Sequence, residues 1–192
     1  EILKACSKPT PANQMILELS SLLRYSLDAP MKPVTVQEEI AVTKNYIGLQ
    51  SFKYRDCFHV TWEYSQDILD FPILRLLLQP IIENSIIHSG KAAPEKLWIK
   101  IKIRRNNGFL SFYIIDNGYG IDKKRLADLQ QALTEEQVDS SGKHIGLKNI
   151  SQRIRLAYKN GYVRLQSKKG MGTIVELGGI GYFANGAAGI YP

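Results

Sequence analysis

Residues 78–88 read Leu78-Gln79-Pro80-Ile81-Ile82-Glu83-Asn84-Ser85-Ile86-Ile87-His88, an apolar helical pattern interrupted by a few polar side chains. Asn84 and His88 are one helical turn apart and therefore project from the same face. Mg²⁺ prefers oxygen ligands and keeps several waters, so the Asn84 amide oxygen and phosphate oxygens would form a suitable shell, with His88 facing the phosphates. The wet face of an amphipathic helix, with His88 near the C-terminal end of the helix dipole, explains the same residues. The stretch alone leaves both interpretations open.

A second segment, Asp116-Asn117-Gly118-Tyr119-Gly120, follows an apolar run that ends in Ile114-Ile115. A buried aspartate here can accept a hydrogen bond from the exocyclic amine of adenine, and the glycines let the base approach the backbone. A simple turn is the alternative, because Asp-Asn-Gly is typical turn chemistry. The apolar run favours a buried strand end, where a carboxylate needs a partner.

Two further glycine-containing segments follow in the chain. The first, Gly142-Lys143-His144-Ile145-Gly146-Leu147, runs into a predicted helix, whose free N–H groups and dipole form an anion site suited to phosphates. Lys143 or Lys148 could add positive charge there. The second, Gly170-Met171-Gly172-Thr173, is read first as a hairpin turn, with Thr173 near a nucleotide as the alternative. Together the four segments provide the parts needed to hold ATP and its magnesium ion.

Composition bounds the class of protein. The 192 residues fit one domain, or one domain with an attached helical piece, and 44% hydrophobic with 22% charged residues is ordinary for a soluble globular chain. The apolar runs are too polar for a membrane span, and no signal-peptide pattern is present. Cys6 and Cys57 form no CxxC pair, which indicates a reducing cytosol. Despite a net charge of +7, the basic residues are spread out, so a nucleic-acid partner is not expected.

The N-terminal part of the chain predicts two helices. The first spans residues 13–29 and stops at Ala29-Pro30-Met31-Lys32-Pro33. The second begins at Thr35, which forms a capping box with Glu38, and runs to about Arg55. Its buried positions are expected to include Ile40, Tyr46, Ile47 and Phe52.

The remaining pattern predicts a mixed, mostly antiparallel sheet with helices on one face, a two-layer α+β sandwich preceded by the N-terminal helices. Lys100, Lys102 and Arg104 alternate with isoleucines and indicate a solvated strand face. The expected elements are a strand over 58–64, a helix over 71–89 divided at Pro80, strands over 97–104 and 109–115 joined by Asn106-Asn107-Gly108, a helix over 122–133, a mobile loop over 134–144, a helix over 147–158, and strands over 162–167 and 173–177. This divides the chain into a helical segment 1–56, a compact domain 57–177, and a glycine- and alanine-rich tail 178–192 that is flexible or an artificial extension.

The order and spacing of the four segments resemble the GHKL ATP-binding fold of histidine kinases, gyrase-type ATPases, Hsp90 and MutL. Residues 78–88 are similar to the LQPLVENAIxH run of LytS/YesM-type sensor histidine kinases. Similarity to that subfamily's linker helices and ATP-binding boxes extends to Leu22-Leu23-Arg24-Tyr25-Ser26-Leu27, Glu38-Glu39, Asn45-Tyr46-Ile47, Gln50, Arg55, Ile145 to Ile150, and Arg153. The likeness covers roughly residues 15–177.

The resemblance implies roles for individual residues. Asn84 would ligate Mg²⁺, Asp116 would bind adenine, and residues 134–145 would be the ATP lid. The other residues that would bind or shape the nucleotide pocket are His88, Gly118, Gly120, Ile121, Gly142, Lys143, His144, Gly146, Leu147 and Thr173. His144 occupies a position where the family often has glycine. The tail beyond Leu177 lacks the family's usual short ending, so no role is carried over to it.

The resemblance also indicates the type of reaction. Superfamily ATPases carry a water-activating glutamate four residues before the metal-binding asparagine, and this chain has Pro80 there. Phosphoryl transfer to a protein is therefore favoured over rapid hydrolysis, and no residue of the chain is assigned as a certain catalytic group.

The chain's histidines are His59, His88 and His144, none of which is placed as an acceptor. We expect the acceptor histidine to lie outside these residues. A response regulator, a homodimeric full-length protein, and a cytoplasmic location below membrane segments outside this chain follow by resemblance. An ATP-gated interaction module without transfer and a GHKL anti-sigma-type serine kinase are the alternatives.

Overall fold

A computed structural model of the chain describes Ser20, Tyr25 and residues 32–54, 57–89, 96–134 and 145–181. The described elements, in order, are β1 (Pro33–Thr35), α1 (Val36–Lys53), β2 (Phe58–Glu63), β3 (Pro72–Leu74), α2 (Gln79–Asn84), β4 (Leu97–Asn106), β5 (Phe109–Asp116), α3 (Lys123–Thr134), α4 (Ile145–Ala157), β6 (Tyr162–Lys168) and β7 (Gly172–Ile180). A short 3₁₀ turn at Gln66–Ile68 precedes β3, and a π-helical turn at Ser85–Ser89 continues α2.

Five strands form the main sheet in the order β2-β4-β5-β7-β6, and β1 and β3 form a separate antiparallel pair. In the main sheet β2 and β4 are parallel, and the other neighbours are antiparallel. The β4–β5 hairpin closes at Asn107 and Gly108, with φ of 50° and 82°. Asparagine and glycine tolerate this left-handed turn, whose twist matches that of the flanking strands. The predicted α+β fold with a mixed, mostly antiparallel sheet is confirmed.

The two faces of the sheet differ as the alternation predicts. Leu97, Ile99, Ile101 and Ile103 of β4 are buried on the inner face, beneath the helices. On the outer face Glu63 forms ion pairs with Lys100 at 2.5 Å, Lys102 at 3.5 Å, and Arg104. The expected solvated face is therefore present, and its charges are partly neutralised within the sheet.

The prediction of a helix over 71–89, divided at Pro80, is wrong for residues 71–78 and correct for the helical residues 79–89. Pro72–Leu74 is strand β3, and α2 begins only at Gln79 with Pro80 in its first turn. Residues 75–78, the β3–α2 turn, contain Leu76 with φ of 56°, a left-handed conformation that interrupts any helix. Pro80 does not divide the helix but begins it, because N–H groups in a first turn have no intrahelical partner.

Other boundaries differ by smaller amounts. The capping box of Thr35 and Glu38 is present, and α1 ends at Lys53. Ile40 and Tyr46 are buried as expected and Ile47 is partly buried, but Phe52 is 47% exposed because the last turn of α1 lies beyond the core. Strand β7 continues through Ile180, so residues 178–180 of the expected tail pair within the sheet.

Some predictions concern residues outside the described ranges. They are most of the helix over 13–29, the loop over 135–144, and the rest of the tail. Among the described residues, no helix combines the length and apolar character needed to cross a bilayer.

Tyr158, directly after α4, ties that helix to β3. It is 1% exposed, and its hydroxyl oxygen accepts a hydrogen bond from the Leu74 N–H at 2.8 Å. Burial raises the pKa of the Tyr158 hydroxyl, which therefore stays protonated. The short strand β3, an edge in its own two-stranded pair, gains a fixed position beneath α4.

We expect Tyr158→Phe to lower the free energy of unfolding by about 1–3 kcal/mol, because the Leu74 N–H would stay buried without its acceptor. Urea denaturation with two spectroscopic probes measures this change. Tyr113→Phe on the outer face is the matched control and should cost less than about 0.5 kcal/mol. Equal losses in the two variants would contradict the assigned role of the hydroxyl.

Candidate nucleotide-binding site

Asp116 is the last residue of β5 and is only 6% exposed. It follows Phe112 and Ile114 on the inner face of the sheet, where both are buried. Its Oδ2 accepts a hydrogen bond from the Ser85 hydroxyl at 3.0 Å, and its Oδ1 accepts one from the Gly118 N–H at 3.0 Å. A buried carboxylate of this kind is costly unless donors surround it. The sequence predicts that a carboxylate at this strand end needs a partner. Ser85, directly after α2, and Gly118, in the glycine turn, are those partners.

A polar row crosses the sheet at the level of Asp116. In the strand register Asp116 lies opposite Thr173 of β7, and Thr173 lies opposite Ser167 of β6. The Ser167 hydroxyl donates to the Gly172 carbonyl at 2.7 Å and contacts the Thr173 hydroxyl at 3.0 Å. A serine hydroxyl has one proton, so Thr173 must be the donor in the second contact. The Thr173 hydroxyl, opposite Asp116, thus has a fixed proton position.

The glycine segments meet at this end of the sheet. The Ile121 N–H donates to Ser167 Oγ at 2.9 Å, and the Gly170 N–H donates to the Tyr119 carbonyl at 2.6 Å. At Gly120, with φ of 70°, an added Cβ would lie 2.1 Å from the Lys168 carbonyl oxygen. The segment 116–121 is therefore packed directly on the β6–β7 turn, and the glycine at this position is required by contact as well as by conformation.

Gly172 shows the same requirement from the other side. Its φ is 90°, and an added Cβ would lie 2.0 Å from the Asp116 carbonyl oxygen. The backbones of the two predicted turns thus touch at the strand end that carries the buried carboxylate. The segment from Gly170 to Thr173 is a hairpin turn, as first predicted, and it also lies against Asp116. A place for Thr173 beside a nucleotide stays a prediction.

Asn84 is the last residue of α2 and is exposed. Its Nδ2 lies 3.9 Å from the position that a Cβ on Gly146 would occupy, so the amide is close to the first turn of α4. The next residue, Ser85, binds Asp116, as described above. Two adjacent residues, Asn84 at the end of α2 and Ser85 directly after it, therefore lie near the start of α4 and bind Asp116, the two places where the sequence predicts phosphate and adenine.

The remaining predicted residues are distributed as follows. Gly118 is buried and donates to Asp116, Ile121 is partly buried, and Leu147 is 9% exposed and packs in the core, so its side chain supports α4. The side chain of His88 and residues Gly142, Lys143 and His144 lie outside the described part of the structure.

Two serines were not singled out by the sequence. Ser85 could have been found from its place beside Asn84 on a helix that faces the strand end. Ser167 carries no local signal, because its role depends on the register of β6 with β7 and on the approach of Ile121.

One end of the sheet thus combines a buried aspartate, two glycine turns and an amide near a helix start. A family model described as histidine kinase-, DNA gyrase B- and HSP90-like ATPase matches residues 70–178, more than half of the 192 residues. The chain belongs to this ATPase family, which implies ATP binding. A second model, described as histidine kinase, matches residues 2–58.

Relatives and solved structures agree with this assignment. The sensor protein kinase HptS of Staphylococcus aureus, strains USA300 and COL, is 29% identical over 168 residues, which are 87% of this chain. The chain spans 32% of the length of these relatives.

The catalytic domain of histidine kinase ThkA has a TM-score of 0.54 at 14% identity, covering 80% of this chain and 97% of that one. The histidine kinase domain of a blue-light activated histidine kinase from Erythrobacter litoralis has a TM-score of 0.53 at 14% sequence identity, and the match covers 91% of this chain and 76% of that one. These likenesses show the fold.

The glycine contacts give a prediction with an internal control. Gly172→Ala and Gly170→Ala both place alanine at positive φ, 90° and 79°, but the new Cβ meets the Asp116 backbone in the first and nothing within 4 Å in the second. Gly170→Ala should cost only the left-handed strain of about 1–2 kcal/mol. Gly172→Ala should cost clearly more and should also weaken ATP binding, because Asp116 must move.

Urea denaturation and calorimetric titration with ATP measure the two effects. If both variants lost the same stability and kept the same ATP affinity, the contact between Gly172 and Asp116 would not matter for the site.

Proposed function

We propose that this chain contains the ATP-binding catalytic domain of a two-component sensor histidine kinase of the LytS/YesM type, which transfers the γ-phosphoryl group of ATP to a histidine outside these residues. The observation that carries the proposal is the buried carboxylate of Asp116, held by Ser85 and Gly118 where the glycine turns meet. The two family matches and the HptS relatives support the kinase class.

The residues of the site fit a bound nucleotide. The Asp116 side chain is an acceptor with about four lone-pair sites, which is the chemistry needed to bind the adenine amine. Gly118, Gly120 and Ile121 form the adjoining wall, and Thr173 borders it with a fixed hydroxyl. An adenine bound at this end of the sheet would therefore be recognised by hydrogen bonds and would lie close to the backbone of the glycine turn.

The phosphates and Mg²⁺ belong beside α2 and α4. Asn84 would supply one amide oxygen to Mg²⁺, and Gly146 at the first turn of α4 leaves room next to it. Bound Mg²⁺ would neutralise phosphate charge during transfer. We assign His88, Gly142, Lys143, His144 and Leu147 to the phosphate side and the lid by resemblance.

Pro80 favours transfer over hydrolysis. It lies in the first turn of α2, where the related ATPases carry a glutamate that activates water. A proline ring offers neither an acid nor a base. The chain's own contribution is then to bind and orient the nucleotide, and the attacking group comes from the acceptor histidine.

The proposed setting is that of a larger protein. We propose that residues 1–56 are the end of the dimerisation and linker helices and that the catalytic domain begins at 57 and includes all of β7, so that the tail begins after Ile180 and not at 178. We further propose a homodimeric full-length protein whose cytoplasmic part this is, anchored in a bacterial cell membrane by other segments. A response-regulator aspartate would receive the phosphoryl group from the histidine.

A transfer assay in trans tests the function. The chain is incubated with γ-labelled ATP, Mg²⁺ and a separate polypeptide that carries the subfamily's acceptor helix. Acid-labile, base-stable label on that histidine is the expected result. Nucleotide binding without any transfer would support an ATP-gated interaction module, and label on a serine would support an anti-sigma-type kinase.

Asp116→Asn should weaken ATP binding about 10- to 100-fold, because a hydrogen bond to a charged acceptor contributes about 1.5–3 kcal/mol. Calorimetry measures the affinity. Asp128→Asn on exposed α3 makes the same chemical change away from the site and should leave the affinity unchanged. An unaltered affinity in Asp116→Asn would refute the adenine assignment.

Asn84→Ala should remove the gain in ATP affinity that Mg²⁺ provides, while affinity without Mg²⁺ stays near that of the wild type. The reason is that the Asn84 amide lies near Gly146 in the first turn of α4, whereas Ser85 and Gly118 are the residues that hold Asp116. Paired titrations with Mg²⁺ and with EDTA measure this difference. Asn160→Ala, in an exposed turn, is the control, and a full Mg²⁺ gain in Asn84→Ala would overturn the metal assignment.

A further inference from the structure

Glu39 lies on α1, distant in sequence from the candidate site, and its side chain is buried at 1% exposure. Its Oε1 accepts hydrogen bonds from the N–H groups of Leu77 and Leu78 at 2.7 and 2.9 Å. Its Oε2 accepts the Leu76 N–H at 2.9 Å and the Tyr25 hydroxyl at 2.5 Å. These bonds use about all the lone-pair sites of a carboxylate and offset the desolvation of its charge.

The β3–α2 turn takes its backbone partners from two helices. While Glu39 of α1 binds its N–H groups, Arg153 of α4 donates to the carbonyl oxygens of Arg75 at 2.6 Å and Leu76 at 3.4 Å. Leu76 is left-handed, with φ of 56°, which costs a non-glycine residue about 1–2 kcal/mol. Such a conformation persists only where the surroundings over-determine it. The shape of the turn is therefore imposed by α1 and α4.

The β3–α2 turn determines the position of α2. α2 has 6 residues, too few to be stable as an isolated helix. The N–H groups of Ile81 and Ile82 both donate to the carbonyl of Leu78, the last residue of the turn, at 3.1 and 3.0 Å. Asn84 ends the same helix beside Gly146. A displacement of the β3–α2 turn would therefore also displace the Asn84 amide, which lies about one and a half helical turns further along α2.

We propose that Glu39 is a positioning residue for the phosphate and metal side of the site, acting on Asn84 through the β3–α2 turn. The inference rests on the proposed function for the role of Asn84, and it goes beyond it by assigning a part of the site to α1. Because Tyr25 donates to the same carboxylate, Glu39 also joins the chain upstream of α1 to the turn.

The variants separate positioning from simple stability. Glu39→Gln keeps the size of the side chain but replaces one acceptor oxygen with an amide group that opposes the backbone N–H donors. Glu39→Asp keeps the charge and draws it back by one methylene group. Glu38→Gln is the matched control, since Glu38 is exposed on the same helix and glutamine preserves its capping-box bond to Thr35.

Three quantities are measured on the 192-residue chain at a temperature where all variants are folded. They are amide hydrogen exchange at residues 76–84, ATP affinity with Mg²⁺ and with EDTA, and the rate of transfer to the separate acceptor polypeptide. Glu39→Gln should accelerate exchange from 76 to 84, reduce the Mg²⁺ gain and transfer rate about 10- to 100-fold, and change affinity in EDTA less than about twofold. Glu39→Asp should recover part of each loss, and Glu38→Gln should match the wild type.

The opposing results are distinct. Faster exchange at 76–78 with a wild-type Mg²⁺ gain and transfer rate would make Glu39 a stability residue only and overturn the proposal. Exchange unchanged at 79–84 would overturn it as well, whatever the activity. If the wild-type chain itself showed no Mg²⁺ gain and no transfer, the proposed function would fail, and the exchange pattern would still decide whether Glu39 fixes α2.

Discussion

Asp116 places a carboxyl group on the inner face of the sheet, where burial costs an unpaired carboxylate several kcal/mol. The fold offsets this cost by bringing donors from two elements, the Ser85 hydroxyl from the end of α2 and the Gly118 N–H from the loop after β5. The loop can turn back only because it packs on the β6–β7 turn at glycine positions. One buried carboxylate therefore fixes the relative positions of α2, the end of β5 and the final hairpin.

A second buried carboxylate is found at the other end of α2. Glu39 binds three consecutive N–H groups ahead of the helix, and Ser85 directly after the helix binds Asp116. α2 is therefore held at both ends by acids that belong to other elements. A short helix with few bonds of its own gains a defined position in this way, and its last side chain, Asn84, is presented at a fixed height beside α4. Hydrogen bonds require a particular distance and angle, so they restrict the position of the helix more than apolar packing does.

Much of this arrangement follows from sequence. The Asn-Gly hairpin, the capping box at Thr35 and the alternation in β4 each depend on neighbouring residues, and all were predicted correctly. The turn before α2 was not, because Leu76, Leu77 and Leu78 continue an apolar run, and periodicity cannot separate a helix from a buried turn. What breaks the helix there is Glu39, 37 to 39 residues earlier in the chain. The role of Ser167 was also missed, since only strand register brings it to Ile121.

Pro80 connects the geometry of α2 with the choice of reaction. The N–H groups of residues 76–78 donate to Glu39, and α2 begins directly after them, at Gln79. Proline suits that first turn because it brings no N–H and its φ is already helical. The same residue removes the side chain that would activate water beside Asn84. If Asn84 holds the metal ion as proposed, a helix that begins with proline positions a nucleotide without supplying a base of its own, which suits transfer to an acceptor group supplied from outside the site.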